Sequence, residues 1–255
     1  MALADNMMKM NTVVEIKNLT KSFGDHVVLN DVSLSVSEGE NLVVFGQSGT
    51  GKSVLLKCMV GLLVPDSGEI YIDGINVLEL DQKKLNDVRK NLGFLFQGAA
   101  LYDSMSVREN LEFPLIRHFE FSPSEREEKV KSVLEKVSLE EAIDKMPSEL
   151  SGGMKKRIGL ARSIITEPRL MLYDEPTTGL DPITSKEISS LILELQKSLK
   201  MTSIIVTHDL LCAEIIADRA IVLNEGVVKH QGSIAELTSS SDQFLKNFFS
   251  HEILE

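Results

Sequence analysis

One stretch near the start of the chain is the most informative: Leu42-Val43-Val44-Phe45-Gly46-Gln47-Ser48-Gly49-Thr50-Gly51-Lys52-Ser53. Four consecutive apolar residues are typical of a strand that is covered on both faces. Apolar residues then recur with helical spacing, which predicts a helix over residues 52–63. The last eight residues of the stretch fit G-x-x-x-x-G-K-[ST] and lie between that strand and that helix, as a phosphate-binding loop requires.

The loop has the chemistry of a phosphate site. Its glycines let successive backbone N–H groups point at a phosphate chain, and the start of the helix adds positive potential. Lys52 would supply a charge for the β- and γ-phosphates, and the Ser53 hydroxyl would coordinate Mg²⁺. A surface turn rich in Gly and Ser is the simpler alternative, but it does not account for the flanking strand and helix. The predicted nucleotide-binding residues are Gly46, Gln47, Ser48, Gly49, Thr50, Gly51, Lys52 and Ser53.

Two acidic residues, Asp174 and Glu175, follow a second apolar run at residues 170–173. If this run is a buried parallel strand, both carboxylates lie at the carboxyl edge of the sheet, where ligands bind in such sheets. Asp174 would hold Mg²⁺, directly or through water, and Glu175 would orient or deprotonate the water that attacks a γ-phosphate. Alone, such a pair is more often a helix cap or a solvated pair. The phosphate-binding loop favours the catalytic interpretation.

Composition limits the class of protein. The chain has 255 residues, of which 43% are hydrophobic and 25% charged, and its net charge is −11. This hydrophobicity excludes a mainly disordered chain, and the acidic balance argues against binding nucleic acid through its phosphates. No apolar run approaches the roughly 20 residues of a membrane span, and the N-terminus lacks a signal-peptide pattern. We therefore expect a cytoplasmic protein in which Cys58 and Cys212 are buried free thiols.

Strand and helix patterns indicate an α/β core that is interrupted by a helical insert. We place an N-terminal tail at residues 1–12, the main domain at 13–238 with its insert at about 99–165, and a C-terminal helical tail at 239–255. The amphipathic pattern of the C-terminal tail has two interpretations. The tail docks on its own domain, or it contacts a partner subunit.

Several further motifs, in their order along the chain, resemble those of the ATPase subunits of ABC transporters. Leu150-Ser151-Gly152-Gly153-Met154 resembles the signature motif of that family. The other matches are Phe23, the aromatic residue that stacks on adenine; Gln97, which senses Mg²⁺ and the attacking water; Asp181, in the D-loop; and His208, the switch histidine. With the loop and the acidic pair, the resemblance covers about residues 13–235. Singly, each match has a simpler structural interpretation, and only their joint order supports the family.

The resemblance implies a fold, a reaction and an assembly. The fold is the ABC-type P-loop ATPase fold, with a parallel-sheet core, an N-terminal antiparallel β subdomain and an inserted helical subdomain. The reaction is ATP hydrolysis with Mg²⁺, in which Lys52, Gln97, Glu175 and His208 are catalytic and Ser53, Gln97 and Asp174 bind the metal. The assembly is a head-to-tail homodimer with two ATP molecules between its subunits. Its remaining nucleotide contacts are made by Phe23, Ser151, Gly152, Gly153 and Asp181.

Residues 98–104, Gly-Ala-Ala-Leu-Tyr-Asp-Ser, are similar to the ATPases of Mla-type phospholipid transporters, which work with MCE-type proteins. This implies separate permease chains and a location on the cytoplasmic face of the inner membrane. Leu101, Tyr102 and Met105 then either contact a permease helix or pack within the lobe. Three other functions stay open: the ATPase of a small-solute importer, for example of amino acids; an ABC ATPase without a membrane partner; and a nucleotide-binding regulator that does not hydrolyse ATP.

Three consecutive cations, Lys155-Lys156-Arg157, follow the signature-like motif. The plain interpretation is a solvated helix face. The alternative is that one of them contacts the nucleotide of a second subunit and helps to neutralise its phosphates.

Overall fold

The fold is that of a computed structural model, which describes residues 11–47 and 49–252, with side chains up to residue 250. Most of the predicted N-terminal tail, the end of the C-terminal tail and Ser48 of the phosphate-binding loop are not described.

The described strands form two sheets. The first is antiparallel, in the order β2-β1-β4-β5, and consists of β1 (Thr12–Phe23), β2 (His26–Ser37), β4 (Ser67–Ile72) and β5 (Ile75–Asn76). The second has the order β10-β9-β3-β8-β7-β6 and consists of β3 (Asn41–Phe45), β6 (Leu92–Leu95), β7 (Leu170–Asp174), β8 (Thr202–Thr207), β9 (Arg219–Asn224) and β10 (Val227–Gly232). Five of its strands are parallel, and β10 pairs antiparallel with β9 at the edge.

The helices between β6 and β7 form the insert. The described helices are α1 (Lys52–Met59), α2 (Gln82–Arg89), α3 (Val107–His118), α4 (Pro123–Lys136), α5 (Gly152–Ile164), α6 (Pro182–Leu199), α7 (Leu210–Ile216), α8 (Ile234–Thr238) and α9 (Gln243–Glu252). Short 3₁₀ turns lie at Val77–Glu79, Glu140–Ala142 and Pro147–Glu149. Helix α4 begins with the capping box that its sequence predicts, between Ser122 and Glu125. None of the described helices is both long enough and apolar enough to cross a membrane.

Strand β3 separates two hydrophobic clusters, which explains its uninterrupted apolar sequence. Val43 and Phe45 face a cluster that includes the insert helices, whereas Leu42 and Val44 face one that includes α1 and the antiparallel sheet. All five residues of the strand are buried. The expected α/β fold, with an antiparallel β subdomain and inserted helices, is confirmed.

Helix α1 is shorter than the sequence predicts. It ends at Met59 rather than at residue 63, because Gly61 adopts a φ of +66° and the Leu62 N–H turns back to the Lys57 carbonyl. A glycine in the left-handed conformation is a common way to end a helix. Leu62 consequently is half exposed instead of lying on the buried face.

Both cysteines are buried free thiols, as expected. Burial raises the pKa of Cys58 to about 11 and that of Cys212 to about 12. Both thiols are therefore protonated at neutral pH and behave as small apolar core residues.

Of the two interpretations of the C-terminal tail, the structure shows the first: helix α9 docks on its own domain. The ring of Phe45, at the end of β3, makes edge-to-face contacts with Phe249 at 5.5 Å and Phe248 at 6.2 Å between centroids. Both phenylalanines and Leu245 are buried in the same cluster as the insert helices. The C-terminal helix therefore supports the strand that leads into the phosphate-binding loop.

We expect Phe249→Ala to lower the free energy of unfolding by about 3–5 kcal/mol, because it leaves a cavity beside Phe45. Denaturant unfolding measures this. The matched control is Phe23→Ala, which removes a ring that is 49% exposed and should change stability by less than about 0.5 kcal/mol. Equal stability of the two variants would contradict the packing role of α9.

Candidate active site

The predicted catalytic residues meet at one edge of the parallel sheet. Strands β3, β8 and β7 are neighbours and run in the same direction, so the segments after them converge. A cavity of about 460 Å³ lies at this edge. Its walls include seven of the predicted catalytic, metal-binding and loop residues, namely Gly49, Gly51, Lys52, Ser53, Gln97, Glu175 and His208.

The loop after β3 is shaped by glycines at its two ends. A Cβ atom on Gly46 would lie 2.7 Å from the Leu223 carbonyl oxygen, and one on Gly51 would lie 2.8 Å from the Val28 carbonyl oxygen. Gly51 also has a φ of +97°, which favours glycine. No side chain caps the start of α1, and its first residues, Lys52, Ser53 and Val54, line the cavity. This is the arrangement of an anion-binding helix N-terminus.

The Lys52 side chain is fixed by hydrogen bonds to the main chain of this loop. Its side chain is only 6% exposed, and its ammonium donates to the Gly46 carbonyl and, at 3.3 Å, to that of Gln47. It also forms an ion pair with a Glu175 carboxylate oxygen at 3.3 Å. The positive charge that phosphates require is therefore fixed beside both the loop and the acidic pair.

Three side chains hold the Glu175 carboxylate. One carboxylate oxygen of Glu175 forms the ion pair with Lys52. The other oxygen lies 2.8 Å from His208 Nδ1 and accepts a hydrogen bond from the Thr178 hydroxyl at 3.2 Å. The residue is 8% exposed and has a left-handed backbone with φ of +50°. A buried carboxylate with three partners has a fixed direction, which a group that orients water needs.

Asp174 and Ser53 provide the oxygen atoms that suit a magnesium ion. The Ser53 hydroxyl donates to Asp174 at 2.7 Å, and Asp174 is buried beneath the loop. Mg²⁺ in phosphate-transfer sites is usually held by one or two such oxygens together with the phosphates of the substrate. The pair fits this pattern. Among the described residues no cluster of three or more His, Cys, Asp or Glu could hold a metal without a substrate.

The signature-like residues do not line this cavity. Ser151, Gly152, Gly153 and Asp181 line a second pocket of about 530 Å³ at the starts of α5 and α6. Ser151 caps α5 by accepting from the Met154 N–H at 3.2 Å. Asp181 caps α6, and hydrogen bonds from the Thr184 hydroxyl and main chain hold the pKa of Asp181 below its usual range. Within one chain, the predicted nucleotide-binding residues therefore form two separate surfaces.

Phe23 lies at the end of β1, outside the residues that line the cavity. Its ring is 49% exposed and the Lys21 ammonium lies 5.4 Å from the ring centroid. An exposed ring of this kind is available for stacking, as the predicted adenine contact requires.

Sequence reasoning missed Thr178, which lines the cavity, and its chain neighbour Thr177. Thr178 donates to the Glu175 carboxylate, and Thr177 donates at 2.8 Å to Asp209, which itself caps α7. Both lie inside stretches that the family resemblance already singled out. Hydroxyl donors next to a candidate base were the signal that could have identified them.

The interpretation of Lys155-Lys156-Arg157 as a solvated face is wrong for Lys156, which is only 6% exposed. Its ammonium donates to the main-chain carbonyls of Gln97 and Glu175, so it also does not reach towards a second subunit. Arg157 forms an ion pair with Glu187 at 2.9 Å on its own chain.

The sheet, the glycine loop and the buried acidic pair define a P-loop ATPase. Residues 29–178 match the family model described as "ABC transporter". The chain belongs to this family and is an ATP-binding, ATP-hydrolysing subunit of an ABC transporter.

Several relatives resemble the chain over most of its length. The "Intermembrane phospholipid transport system ATP-binding protein MlaF" of Haemophilus influenzae is 41% identical over 92% of this chain and 90% of its own. The "Probable ribonucleotide transport ATP-binding protein mkl" of Mycobacterium leprae is 39% identical over 96% of this chain and 71% of its own. The "Methionine import ATP-binding protein MetN" of Brucella abortus is 38% identical over 87% of this chain and 60% of its own.

Among solved structures, the ATP-binding cassette MJ0796, described as dimeric in a post-hydrolysis state bound to ADP and Pi, superposes with a TM-score of 0.79. It is 34% identical, and the match covers 87% of this chain and 98% of the cassette. The similarity thus includes a cassette that was captured after hydrolysis.

Proposed function

We propose that this subunit powers phospholipid transport between membranes, through separate permease chains and with an MCE-type lipid-binding protein. The observation that carries the proposal is the similarity to MlaF, which extends over about nine-tenths of both chains. The stretch Gly98-Ala99-Ala100-Leu101-Tyr102 supports it, since that segment resembles the Mla-type ATPases. On this proposal the subunit lies on the cytoplasmic face of the inner membrane, where it is held by its permease.

In the proposed reaction, the loop residues and Lys52 bind the β- and γ-phosphates of ATP. Glu175 orients the attacking water and accepts its proton, while His208 and Thr178 hold the carboxylate in place. Ser53, Asp174 and Gln97 would hold Mg²⁺, which when bound would neutralise part of the charge that develops on the phosphates.

We propose that two copies of the chain complete each site. Ser151, Gly152 and Gly153 would cap the γ-phosphate of a nucleotide held by residues 46–53 of the other copy, with Asp181 beside it and Phe23 on the adenine. The separation of these residues from the cavity of their own chain supports this arrangement. So does the dimeric state of the similar cassette MJ0796. The hydroxyl, main-chain N–H groups and dipole at the start of α5 suit an anion.

The proposed permease contact lies on the insert. Tyr102 and Phe113 are partly exposed and pack together at 5.0 Å, along a groove of about 530 Å³, while Leu101 packs against the core. Two polar side chains, the buried Asn110 and the partly exposed Arg162, hold the segment before α3 through its main chain. Asn110 bonds both the N–H and the carbonyl of Tyr102, and Arg162 donates to the carbonyls of two residues with left-handed backbone, Ala99 and Ala100. A rigid, partly apolar groove suits an amphipathic helix of a partner.

A second candidate is the ATPase of an amino-acid importer. The similarity to MetN favours it, although the match covers only 60% of that protein. The two candidates share the same ATPase chemistry and differ in the chains that assemble with this subunit.

The experiment is affinity purification of the full-length tagged chain from its own cells in mild detergent, with identification of the co-purifying proteins and lipids. The proposal predicts a polytopic permease, an MCE-type protein and bound phospholipid. A solute-binding protein and a solute permease, without lipid, would favour the importer instead.

The same purification tests the groove. Tyr102→Glu places a charge in the proposed contact, and we expect it to reduce recovery of the permease at least about tenfold, since apolar anchors dominate such interfaces. Val64→Glu is the control, because Val64 is 76% exposed and lies outside the groove. Equal recovery with both variants would remove Tyr102 from the contact.

A further inference from the structure

Lys156 is a buried cation whose partners are main-chain carbonyls. It lies on α5 and donates to the carbonyls of Gln97 and, at 3.2 Å, Glu175. None of the ion pairs among the described residues includes it. Burial lowers the pKa of Lys156, and the nearby carboxylates of Glu175 and Asp174 partly offset this effect. A charge is costly to bury, so its location calls for a specific reason.

One of the two carbonyls belongs to a strained residue. Glu175 adopts a φ of +50°, a conformation that non-glycine residues keep only where their surroundings hold it. Its N–H donates to the Val206 carbonyl at 2.9 Å, on the neighbouring strand β8. Its carbonyl accepts from Lys156. The main chain of Glu175 is thus held on both sides, and this sets the direction of its carboxylate.

The other carbonyl belongs to a residue that no strand holds. β6 ends at Leu95, and Gln97 begins the segment that turns through Ala99 and Ala100, both with left-handed backbone. Strand pairing therefore does not fix Gln97 relative to Glu175. The Lys156 ammonium bridges the main chains of the two residues, and the walls of the cavity include Gln97 and Glu175 but not Lys156.

We propose that Lys156 is a positioning residue for ATP hydrolysis: its ammonium ties the main chain of Gln97 to that of Glu175, so that both side chains face the same nucleotide. The inference rests on the proposed roles of Gln97 and Glu175. Lys156 is not among the residues that line the cavity, so it acts through these two residues. Its loss should affect turnover and leave the binding of ATP by the loop largely unchanged.

The test compares three single variants by steady-state ATPase kinetics and thermal unfolding. Lys156→Met keeps most of the side-chain shape without the donor, and we expect kcat to fall about tenfold or more, with KM for ATP changed less than about threefold. Lys156→Gln keeps amide donors without the charge and should retain several-fold more activity than Lys156→Met. Lys155→Met, at the adjacent and more exposed lysine, should behave as the unmodified protein.

A double-mutant cycle separates positioning from a general structural role. If Lys156 acts partly through Gln97, Lys156→Met should lower kcat less in a Gln97→Ala background than in the unmodified chain. Full additivity, equal kcat of Lys156→Met and the unmodified protein, or equal activity of the Met and Gln variants would each overturn the proposal. Should Lys156→Met fail to fold, Lys156→Gln enters the cycle in its place. Normal hydrolysis by Glu175→Gln would instead contradict the assignment of Glu175 itself, which is a distinguishable failure.

Discussion

Glu175→Gln is expected to lower the rate of ATP hydrolysis by about 10²- to 10⁴-fold, the usual contribution of a positioned base. Glutamine keeps the shape of the side chain but cannot accept the proton of the attacking water. ATP should still bind, because the loop and Lys52 are unchanged. The variant should therefore accumulate as an ATP-bound dimer, which size-exclusion chromatography with Mg²⁺ and ATP detects. Phosphate release at saturating ATP measures the rate.

The control for this variant is Glu225→Gln. Glu225 has the same φ of +50° as Glu175, but it is exposed at the turn between β9 and β10. The exchange there should leave turnover within about twofold of the unmodified protein, because surface substitutions away from a site have small effects. If Glu175→Gln hydrolysed ATP at the rate of this control, Glu175 would not be the base.

Lys52→Ala is expected to weaken ATP binding about 10- to 100-fold, which corresponds to the loss of one charged hydrogen-bonding partner of the phosphates. Hydrolysis should fall further, because the substitution also removes the ion pair that holds Glu175 at 3.3 Å. Titration with a fluorescent ATP analogue measures the affinity, and phosphate release measures the rate.

Lys57→Ala is the matched control, since Lys57 lies on the same helix and is partly exposed. Its affinity for the analogue should equal that of the unmodified protein. An unchanged affinity in Lys52→Ala as well would show that the loop binds no triphosphate through this lysine.

The fold could be predicted from the sequence because its decisive elements are local. The apolar run of β3, the glycines after it and the helical pattern beyond them each carry their own signal. The end of α1 was missed, since nothing in the apolar periodicity shows that Gly61 turns the chain. A glycine just before the expected end of a helix is the signal for such a stop.

The convergence of the site was predictable only in part. Along the chain, β3 comes before β7, and β7 comes before β8. In the sheet, however, β8 lies between β3 and β7. Motif order does not reveal this arrangement, which brings His208 within 2.8 Å of Glu175. The family resemblance marked both residues as catalytic, but it did not predict the contact between them.

Lys156 shows how a charge run can mislead. Its neighbours Lys155 and Arg157 suggest a solvated face, yet Lys156 lies three and four residues before the buried Gly159 and Leu160. That spacing puts Lys156 on the inner side of α5. Position on the helix, rather than the composition of the run, decides which of the three lysine and arginine side chains is buried.

The central claim is that a triphosphate lies between the glycine loop of one chain and the signature-like helix start of another. A crystal structure of Glu175→Gln with Mg²⁺ and ATP tests it most directly. The account predicts phosphates within hydrogen-bond distance of residues 46–53, and Ser151 and Gly153 of the second copy against the γ-phosphate. A nucleotide bound elsewhere, or residues 151–153 remote from every γ-phosphate in the assembly, would contradict it.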